Sequence, residues 1–355
     1  MSLTPALLQE LAAVAAQAGL PRLGAVRLDH PGFRPAGAAL DRYVSEGLHG
    51  EMEFMARTRE LRKDPSGMLP GARTVLVAAV PYRGHAGPIA RYAQSADYHT
   101  EVHERLEVVE AHLLSRLPEA RTLVCVDTKP LLERTAAALA GLGFLGKHGC
   151  LIAPGLGSYV LLGALLCTAP LSAPDAVEEL SRVRWDACGQ CTRCLEACPT
   201  QAFVEPGRLD PRRCISYLTI EHRGPIDPAL EDAMGERIAG CDVCQEVCPY
   251  NGGKERDARV PEVAWLPPPH GRPRTPNLVA LANPGTNPYR SFVKHTALRR
   301  IPRRSMRRNV LVAMGNAPGV ASTEERAAIE QAAGDEDPIV RAAAERALRR
   351  RGAAG

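Results

Sequence analysis

Four cysteines and a proline stand close together in the segment ACGQCTRCLEACPTQAF, residues 187–203. Their spacing is C-x₂-C-x₂-C-x₃-C-P. A second group, GCDVCQEVCPYN at residues 240–251, has the shorter pattern C-x₂-C-x₃-C-P, and Cys214 stands alone between the two groups. Thiolates at three-residue spacing can bind one face of an iron–sulfur cluster, and in two-cluster ferredoxins the cysteine before proline ligates the other cluster. These residues therefore indicate electron-transfer chemistry.

The spacing predicts two clusters, each held by four cysteines. The last cysteine of each group should serve the other cluster, and Cys214 supplies the ligand that the shorter group lacks. The predicted ligand sets are Cys188, Cys191, Cys194 and Cys248 for one cluster, and Cys198, Cys214, Cys241 and Cys244 for the other. Zinc is the alternative, because C-x₂-C pairs also form zinc ribbons, although those rarely use the longer pattern.

The N-terminal sequence gives no sign of export. The first twenty-one residues hold no Lys or Arg. They are typical of an amphipathic helix with Thr4 as its cap and Pro5 in its first turn, which differs from a signal peptide. No apolar run reaches the roughly 18 residues that a membrane span needs. We therefore expect a cytoplasmic protein without disulfides or membrane contact, in which Cys125 and Cys167 belong to the apolar core.

Alternating patterns surround these cysteines. The chain has 355 residues, of which 45% are apolar, and this suits two or three domains with their own cores. The runs TVLVAAVPY (74–82), RTLVCVD (121–127) and SYVLLGALLC (158–167) predict buried strands. The segments HERLEVVEAHLLSRL (103–117) and LLERTAAALAGLG (131–143) predict helices. This alternation is typical of an α/β domain.

The predicted organisation has three folded parts. They are an α/β domain at residues 1–180, a bacterial-ferredoxin-like two-cluster module at 181–252, and an α-helical domain at 277–355, with a Pro-rich linker at 253–276. RRNVLVAM (307–314) and RAAAERAL (341–348) form a weak repeat, which predicts a HEAT-like helical domain. An ordinary helical cap is the alternative, because repeat arrays need at least three units.

Positive charge is concentrated near the C-terminal end. Between Glu262 and Glu324 there are ten Lys and Arg and no Asp or Glu, whereas the whole chain has a net charge of only +4. The segment YRSFVKHTALRRIPRRSMRR (289–308) predicts a helix with one basic stripe. Such a stripe suits the phosphates of a nucleic acid, and a solvated charged face is the alternative.

Asp127 ends a predicted strand and precedes a predicted helix. In open α/β sheets the carboxyl ends of strands form ligand crevices, which makes Asp127 a candidate site residue. The alternative is an N-cap for the following helix, a common role for Asp. Position alone favours neither interpretation.

Several stretches together resemble the epoxyqueuosine reductases. Besides the cysteine pattern, they are HGEMEFM (49–55), DYH (97–99), VDTKPLLERTAAALAGLGFLGKHG (126–149), CISYLTIEHRGPI (214–226) and RRNVLVAMGN (307–316). The segment between the two cysteine groups is much more specific than the cysteines alone. The resemblance implies an oxidoreductase that reduces epoxyqueuosine to queuosine at the wobble position of tRNA. It also implies that cobalamin binds to the N-terminal domain and receives electrons from two 4Fe-4S clusters.

The resemblance also assigns site residues. It implies Asp127 as the proton donor to the opened epoxide oxygen, a role for which burial would raise the pKa of its carboxyl. Tyr98 is the second catalytic candidate, whereas His99 is expected to be a satisfied structural residue. The candidates for contact with cobalamin are Met55, Asp127, Lys147, His148, Ser216 and Asp242. For Lys147 and His148 the alternative is a turn that ends a helix.

The partners follow from the same resemblance. The expected tRNA-binding residues are Arg223, Lys294, Arg299, Arg300, Arg303, Arg304 and Arg307. An external low-potential electron donor is required, and we expect a monomer. Two other functions fit the cysteine pattern: a reductive dehalogenase-like corrinoid enzyme, and a ferredoxin-type electron carrier with an RNA-binding tail.

Overall fold

The computed structural model describes residues 1–172, 185–252, 266–267 and 275–352. Its strands are β1 (Arg22–Arg27), β2 (Thr74–Pro81), β3 (Thr122–Cys125), β4 (Phe144–Leu145), β5 (Leu151–Ile152), β6 (Val160–Cys167), β7 (Phe203–Glu205) and β8 (Arg208–Leu209). The N-terminal helices are α1 (Pro5–Gln17), α2 (Phe33–Ser45), α3 (Glu53–Arg57), α4 (Arg59–Lys63), α5 (Tyr98–Arg116) and α6 (Glu133–Leu139).

Two groups of helices follow. Those among the cysteines are short: α7 (Arg193–Glu196), α8 (Ile215–Ile220), α9 (Pro228–Met234) and α10 (Val243–Glu246). The C-terminal helices are α11 (Leu278–Ala282), α12 (Thr286–Val293), α13 (Arg303–Asn316), α14 (Thr323–Ala333) and α15 (Pro338–Gly352). The three strands and two helices expected in the N-terminal part are therefore confirmed, while β1, β4, β5 and the helices α2, α3 and α4 were not predicted.

The central sheet has the strand order β1-β2-β6-β3 and is covered on both faces. Alternate residues of β2 enter two cores: Leu76 and Val80 belong to the core that contains α1 and α5, and Val75 and Val77 to the one that contains α6. This two-residue alternation, with both faces apolar, explains why β2 is buried along its whole length. At Gly163 in β6, an added Cβ would lie 2.6 Å from a side-chain atom of α5, so the close approach requires glycine.

Each pairing in this sheet is antiparallel. The crevice expected at the carboxyl ends of parallel strands is therefore not the reason for the position of Asp127. Instead, β3 is an edge strand, and Asp127 lies just beyond its last residue, Cys125. The backbone is free to turn there because the ladder of β3 with β6 has ended.

Helix α1 begins as predicted. Its cap Thr4 accepts a hydrogen bond from the backbone N–H of Leu7 at 3.2 Å, and Pro5 is the first helical residue. Proline is tolerated there because that N–H would have no partner within the helix. Among the described helices, none is long and apolar enough to cross a membrane.

Buried polar side chains of α13 join the helical domain to the cysteine module. The Arg308 guanidinium is almost fully buried and donates hydrogen bonds to the carbonyl oxygens of Leu218, His222 and Gly224. Asn309 donates to the carbonyl oxygen of Thr219 at 2.8 Å. These contacts explain the run RRN in the sequence, because each donor meets backbone acceptors that would otherwise be unsatisfied.

The helical domain packs α13 against α15 and α14 against α15. Its HEAT-like character stays a prediction. Most of the predicted linker at 253–276 lies outside the described residues. Within it, Leu266 is buried in the N-terminal core, and the carbonyl oxygen of Pro267 accepts a hydrogen bond from the Ala96 N–H at 2.8 Å. Residues 266–267, which lie in sequence between the cysteine module and the helical domain, therefore contact the N-terminal domain.

Candidate active site and cluster ligands

Asp127 has an unusual backbone. Its φ is +53°, in the left-handed region that residues other than glycine rarely adopt. Its N–H donates to Oε1 of Glu133 at 3.0 Å, and the N–H of Thr128 donates to the carbonyl oxygen of Val126. Strained backbone of this kind persists where surrounding contacts fix it, often at functional sites.

The N-cap interpretation of Asp127 is wrong. Helix α6 begins at Glu133, and its N-cap position is Leu132, which makes no side-chain cap. Asp127 therefore lies too early in the chain to cap α6. Its carboxylate is 57% exposed and faces the start of α5 instead.

Two neighbouring residues of α5 converge on one oxygen of Asp127. The Tyr98 hydroxyl donates to Oδ2 at 2.7 Å, and Nε2 of His99 lies 3.4 Å from the same oxygen. Asp97 holds the ring of His99 from the other side, with Nδ1 2.7 Å from its Oδ1, and also caps α5 by accepting from the His99 N–H. Both ring nitrogens of His99 thus face carboxylates.

This arrangement sets the charges of the site. Burial lowers the pKa of His99, but the hydrogen bonds to Asp127 and Asp97 outweigh burial and raise it to about 9. The hydrogen bond from His99 lowers the pKa of Asp127 below its ordinary value, burial opposes that effect, and Tyr98 lowers it further. At neutral pH these pKa values make His99 an imidazolium and Asp127 a carboxylate.

The sequence predicts a raised pKa for the Asp127 carboxyl, whereas the structure lowers it. Burial does act to raise its pKa, as expected, but the charged His99 has the larger effect. His99 was expected to be a satisfied structural residue, and this expectation did not include its contact with Asp127. That contact joins an α5 residue to the end of β3, which local sequence patterns do not report.

Glu133 is a further residue beside Asp127, and its sequence position alone did not indicate a role. Burial and the nearby Asp127 carboxylate raise its pKa to about 8. The available signal was a carboxyl group in the first turn of a predicted helix, soon after Asp127.

Lys147 and His148 occupy different environments. The Lys147 ammonium donates to the carbonyl oxygens of Gly189 and Cys191, at 2.7 and 3.0 Å, and so fixes the first cysteine loop. Nδ1 of His148 accepts from the Cys150 N–H at 3.1 Å, while its buried Nε2 has no hydrogen-bond partner among the described residues. Burial lowers the pKa of His148 to about 4, so the ring is neutral.

The other cofactor candidates lie on two helices and at the N-cap of a third. Met55 lies half-buried on α3, and Ser216 lies half-buried on α8 beside Cys214. Asp242 is buried, and its Oδ2 accepts from the Arg91 N–H at 2.7 Å. Burial raises the pKa of Asp242 to about 6.

Several of the predicted cluster ligands lie close enough for their thiols to raise one another's pKa, both within and across the two predicted sets. Burial raises the pKa of Cys194 to about 11, and the nearby thiols of Cys188, Cys248 and Cys191 contribute to the increase. Burial also raises the pKa of Cys214, with a contribution from Cys198. The described residues contain no group of three His, Cys, Asp or Glu side chains placed to hold a single metal ion. The assignment of each cysteine to a cluster stays a prediction.

The basic segment does not form one continuous stripe. Arg299 and Arg300 lie in a short 3-10 helix, and α13 starts only at Arg303, because Pro302 precedes it as the N-cap residue. Arg307 is buried: it donates to the carbonyl oxygen of Ala282 and pairs with Asp335 at 2.7 Å. A side chain held in this way is not available to RNA, so the prediction for Arg307 is wrong.

Three more arginines of the predicted surface are engaged by protein groups. Arg300 pairs with Glu221, and its guanidinium lies 5.1 Å from the ring centre of Phe54. Arg304 donates to the carbonyl oxygen of Arg223 at 2.9 Å. Arg223 in turn donates through its N–H to Glu51 at 2.8 Å, so the motif HGEMEFM contacts EHRG.

The remaining cations surround a cavity of about 570 Å³. It is lined by Thr286, Tyr289, Arg290, Val293, Lys294, His295, Arg299, Ile301, Pro302 and Arg303. His295 has a φ of +57°, and its carbonyl oxygen accepts from the Asp97 N–H at 3.0 Å. One hydrogen bond thus connects this basic cavity to the residue that holds His99.

Two protein families match parts of the chain. Residues 62–128 match the family described as epoxyqueuosine reductase QueG, DUF1730, and residues 187–251 match the 4Fe-4S double cluster binding domain. The chain is 35% identical to an epoxyqueuosine reductase of Xanthomonas campestris, over 92% of this chain and 91% of that protein. It is 36% identical to the enzyme of that name from Escherichia coli, over 79% and 74%.

Solved structures agree with these relatives. An epoxyqueuosine reductase with a tRNA-Tyr epoxyqueuosine-modified stem loop is 29% identical, with a TM-score of 0.82 over 97% of this chain and 90% of that one. A Bacillus subtilis epoxyqueuosine reductase, described with its catalytic aspartate loop swung out of the active site, is 26% identical. Its TM-score is 0.76, over 96% of this chain and 89% of that one.

The cluster assignment can be tested at Cys214. Replacing it in Cys214→Ala should remove one cluster and leave the other, so anaerobically reconstituted protein should hold about four irons instead of about eight per chain. Cys125→Ala is the matched control, because Cys125 is a buried thiol outside both predicted ligand sets. Full iron content in Cys214→Ala would contradict the assignment.

Proposed function

Because this chain belongs to the epoxyqueuosine reductase family, we propose that it reduces epoxyqueuosine to queuosine at the wobble position of tRNA. The observation that carries this proposal is the exposed Asp127 carboxylate with Tyr98 and His99 at its Oδ2. A two-electron reduction of an epoxide needs such a proton source. Opening the C–O bond leaves an alkoxide, and loss of the oxygen as water needs two electrons and two protons in total.

Asp127 delivers each proton in this proposal, and His99 stores one proton at a time and takes up the next from solvent. The carboxylate is the group that is open to a ligand, whereas the imidazolium of His99 carries the proton at neutral pH. A proton can pass from Nε2 of His99 to Oδ2 of Asp127 across their 3.4 Å separation as charge develops on the substrate oxygen. Tyr98 keeps the carboxylate oriented during this transfer. The pKa of His99 is raised and that of Asp127 is lowered, and such opposite shifts are typical of an acid–base pair.

Electrons enter through the 4Fe-4S double cluster domain. The eight predicted ligands have the chemistry that iron–sulfur clusters need, and an external low-potential donor supplies the electrons. Lys147 holds the exposed first cysteine loop by its two carbonyl contacts. Zinc in these sites would provide no electrons, which is why clusters fit the proposed reaction better.

Cobalamin is the second cofactor in this proposal. When bound, it supplies a strongly reducing cobalt centre that accepts electrons one at a time. The described residues are compatible with it: Asp127 is open to a ligand, and the buried Nε2 of His148 lacks the hydrogen-bond partner that a corrin amide would provide. Met55, Ser216 and Asp242 remain candidates for further contacts.

The cavity in the helical domain is the proposed tRNA-binding surface. Arg290, Lys294, Arg299 and Arg303 line it, and none of the described residues around it is Asp or Glu. Phosphate neutralisation by such cations dominates the affinity of proteins for nucleic acids. Arg300 lies close enough to Asp127 to lower the pKa of its carboxyl, so it would contact the nucleotide near the reacting base, with Arg223 beside it.

The segment that carries Asp127 is proposed to move. The Bacillus subtilis relative is described with its catalytic aspartate loop swung out of the active site. In this chain, residues 127–129 are exposed and link β3 to α6. The same motion here would carry Asp127 away from Tyr98 and His99.

Asp127→Asn tests the proton-delivery role. The amide retains the shape of the carboxyl group but cannot transfer a proton, so turnover of epoxyqueuosine-containing tRNA should fall by on the order of 10²–10⁴. Cluster content and tRNA affinity should stay unchanged. Asp29→Asn, at an exposed position, is the matched control. Nearly normal conversion by Asp127→Asn, measured by nucleoside mass spectrometry, would show that another group donates the proton.

The double variant Lys294→Ala with Arg299→Ala tests the tRNA surface. Binding should weaken, and the slope of log affinity against log salt should flatten by about 0.7–0.9 for each phosphate that the protein no longer neutralises. The control removes two exposed cations elsewhere, in Arg326→Ala with Arg349→Ala. An equal decrease of affinity in both double variants would mean that general charge, and not this cavity, binds the RNA.

A further inference from the structure

A hydrogen bond from a side chain helps to hold the backbone at the reacting end of the Asp127 segment. Oε1 of Glu133 accepts from the Asp127 N–H at 3.0 Å. This is the amide of a residue with φ of +53°, which has other favourable conformations available. The carboxyl of Glu133 therefore opposes the relaxation of Asp127 out of the left-handed region.

The far end of the segment is held as well. Arg62 on α4 donates through a guanidinium nitrogen to the carbonyl oxygen of Leu131 at 3.3 Å, and its Nε donates to Oγ1 of Thr58 at 3.1 Å. Between these two anchors, residues 127–129 are exposed. The exposed tip thus depends on few contacts, and the one at the Asp127 amide is nearest to the chemistry.

We infer that Glu133 is a positioning residue, whose side chain holds the Asp127 backbone so that the Asp127 carboxylate meets Tyr98 and His99. This inference rests on the proposed role of Asp127. It adds a residue that acts through Asp127 and does not touch the substrate. Losing the Glu133 acceptor favours the displaced arrangement of the segment and reduces the fraction of enzyme that is ready to react.

The surroundings of Glu133 support this role. The charged and titratable groups around it are Asp127, Arg62, Arg134, Tyr98 and Cys125. Burial and Asp127 raise the pKa of Glu133 to about 8, so its carboxyl is mostly neutral at pH 7. A neutral carboxyl still accepts a hydrogen bond through its carbonyl oxygen, and it places no second negative charge beside Asp127. A glutamine side chain reproduces both properties.

The test compares variants that lack the acceptor with one that keeps it. Glu133→Ala and Glu133→Met lack it, the second with little loss of side-chain volume, and Glu133→Gln retains it. In the cofactor-loaded enzyme, Ala and Met should lower the single-turnover rate about tenfold to a hundredfold, as expected for a misplaced catalytic group. Affinity for tRNA should be unchanged, and Gln should restore a rate within about threefold of wild type. Glu104→Ala, at an exposed site on α5, is the control.

Amide hydrogen exchange provides a readout that does not depend on activity. Exchange in a peptide that covers residues 126–132 should accelerate in Ala and Met and stay as in wild type in Gln and in the Glu104 control. Wild-type rates in Ala and Met would overturn the inference, and so would an equal loss of activity in Ala, Met and Gln. If wild type itself fails to convert epoxyqueuosine, the proposed function fails, and unchanged exchange in Ala and Met would separately refute the positioning role.

Discussion

The negative charge on Asp127 is the constraint to which the rest of the site is adapted. Its carboxylate must be open to a substrate and yet must be held without full solvation. Tyr98 and His99 meet that need from α5, and Asp97 keeps His99 charged from behind. A partly buried carboxylate with no such partners would be neutral or displaced. The same contacts that stabilise the charge also place a proton next to it.

Short polar contacts connect the proton site to the helical domain, and the helical domain to the cysteine module. Asp97, the residue behind His99, donates its N–H to the carbonyl oxygen of His295 at the basic cavity. Arg308 fastens the helical domain to the cysteine module through buried hydrogen bonds. Buried hydrogen bonds oppose the separation of the parts that they join, because breaking them leaves buried polar groups unsatisfied. These contacts connect the basic cavity, the cysteine module and the residue behind His99, while residues 127–129 are exposed.

Local patterns predicted the elements but not the contacts between them. The apolar runs identified β2, β3 and β6, and the Thr4–Pro5 signal identified the start of α1, because these depend on neighbours in sequence. The hydrogen bond from the Asp127 N–H to Glu133 and the charge of His99 depend on how α5, β3 and α6 pack against one another. Likewise, Arg307 looked available to RNA because its partner, Asp335, lies outside the acid-free stretch. Net charge along a segment does not reveal which cations are already neutralised by folding.

The central claim is that His99 stores the proton that Asp127 delivers, and the pH dependence of turnover tests it most directly. The pKa of His99 is raised to about 9, so its proton is held below that pH and lost above it. The single-turnover rate of wild type should therefore fall as pH rises through about 9, and His99→Gln, which has no titrating ring, should be slow without that fall. The same decline near pH 9 in both proteins would contradict the account.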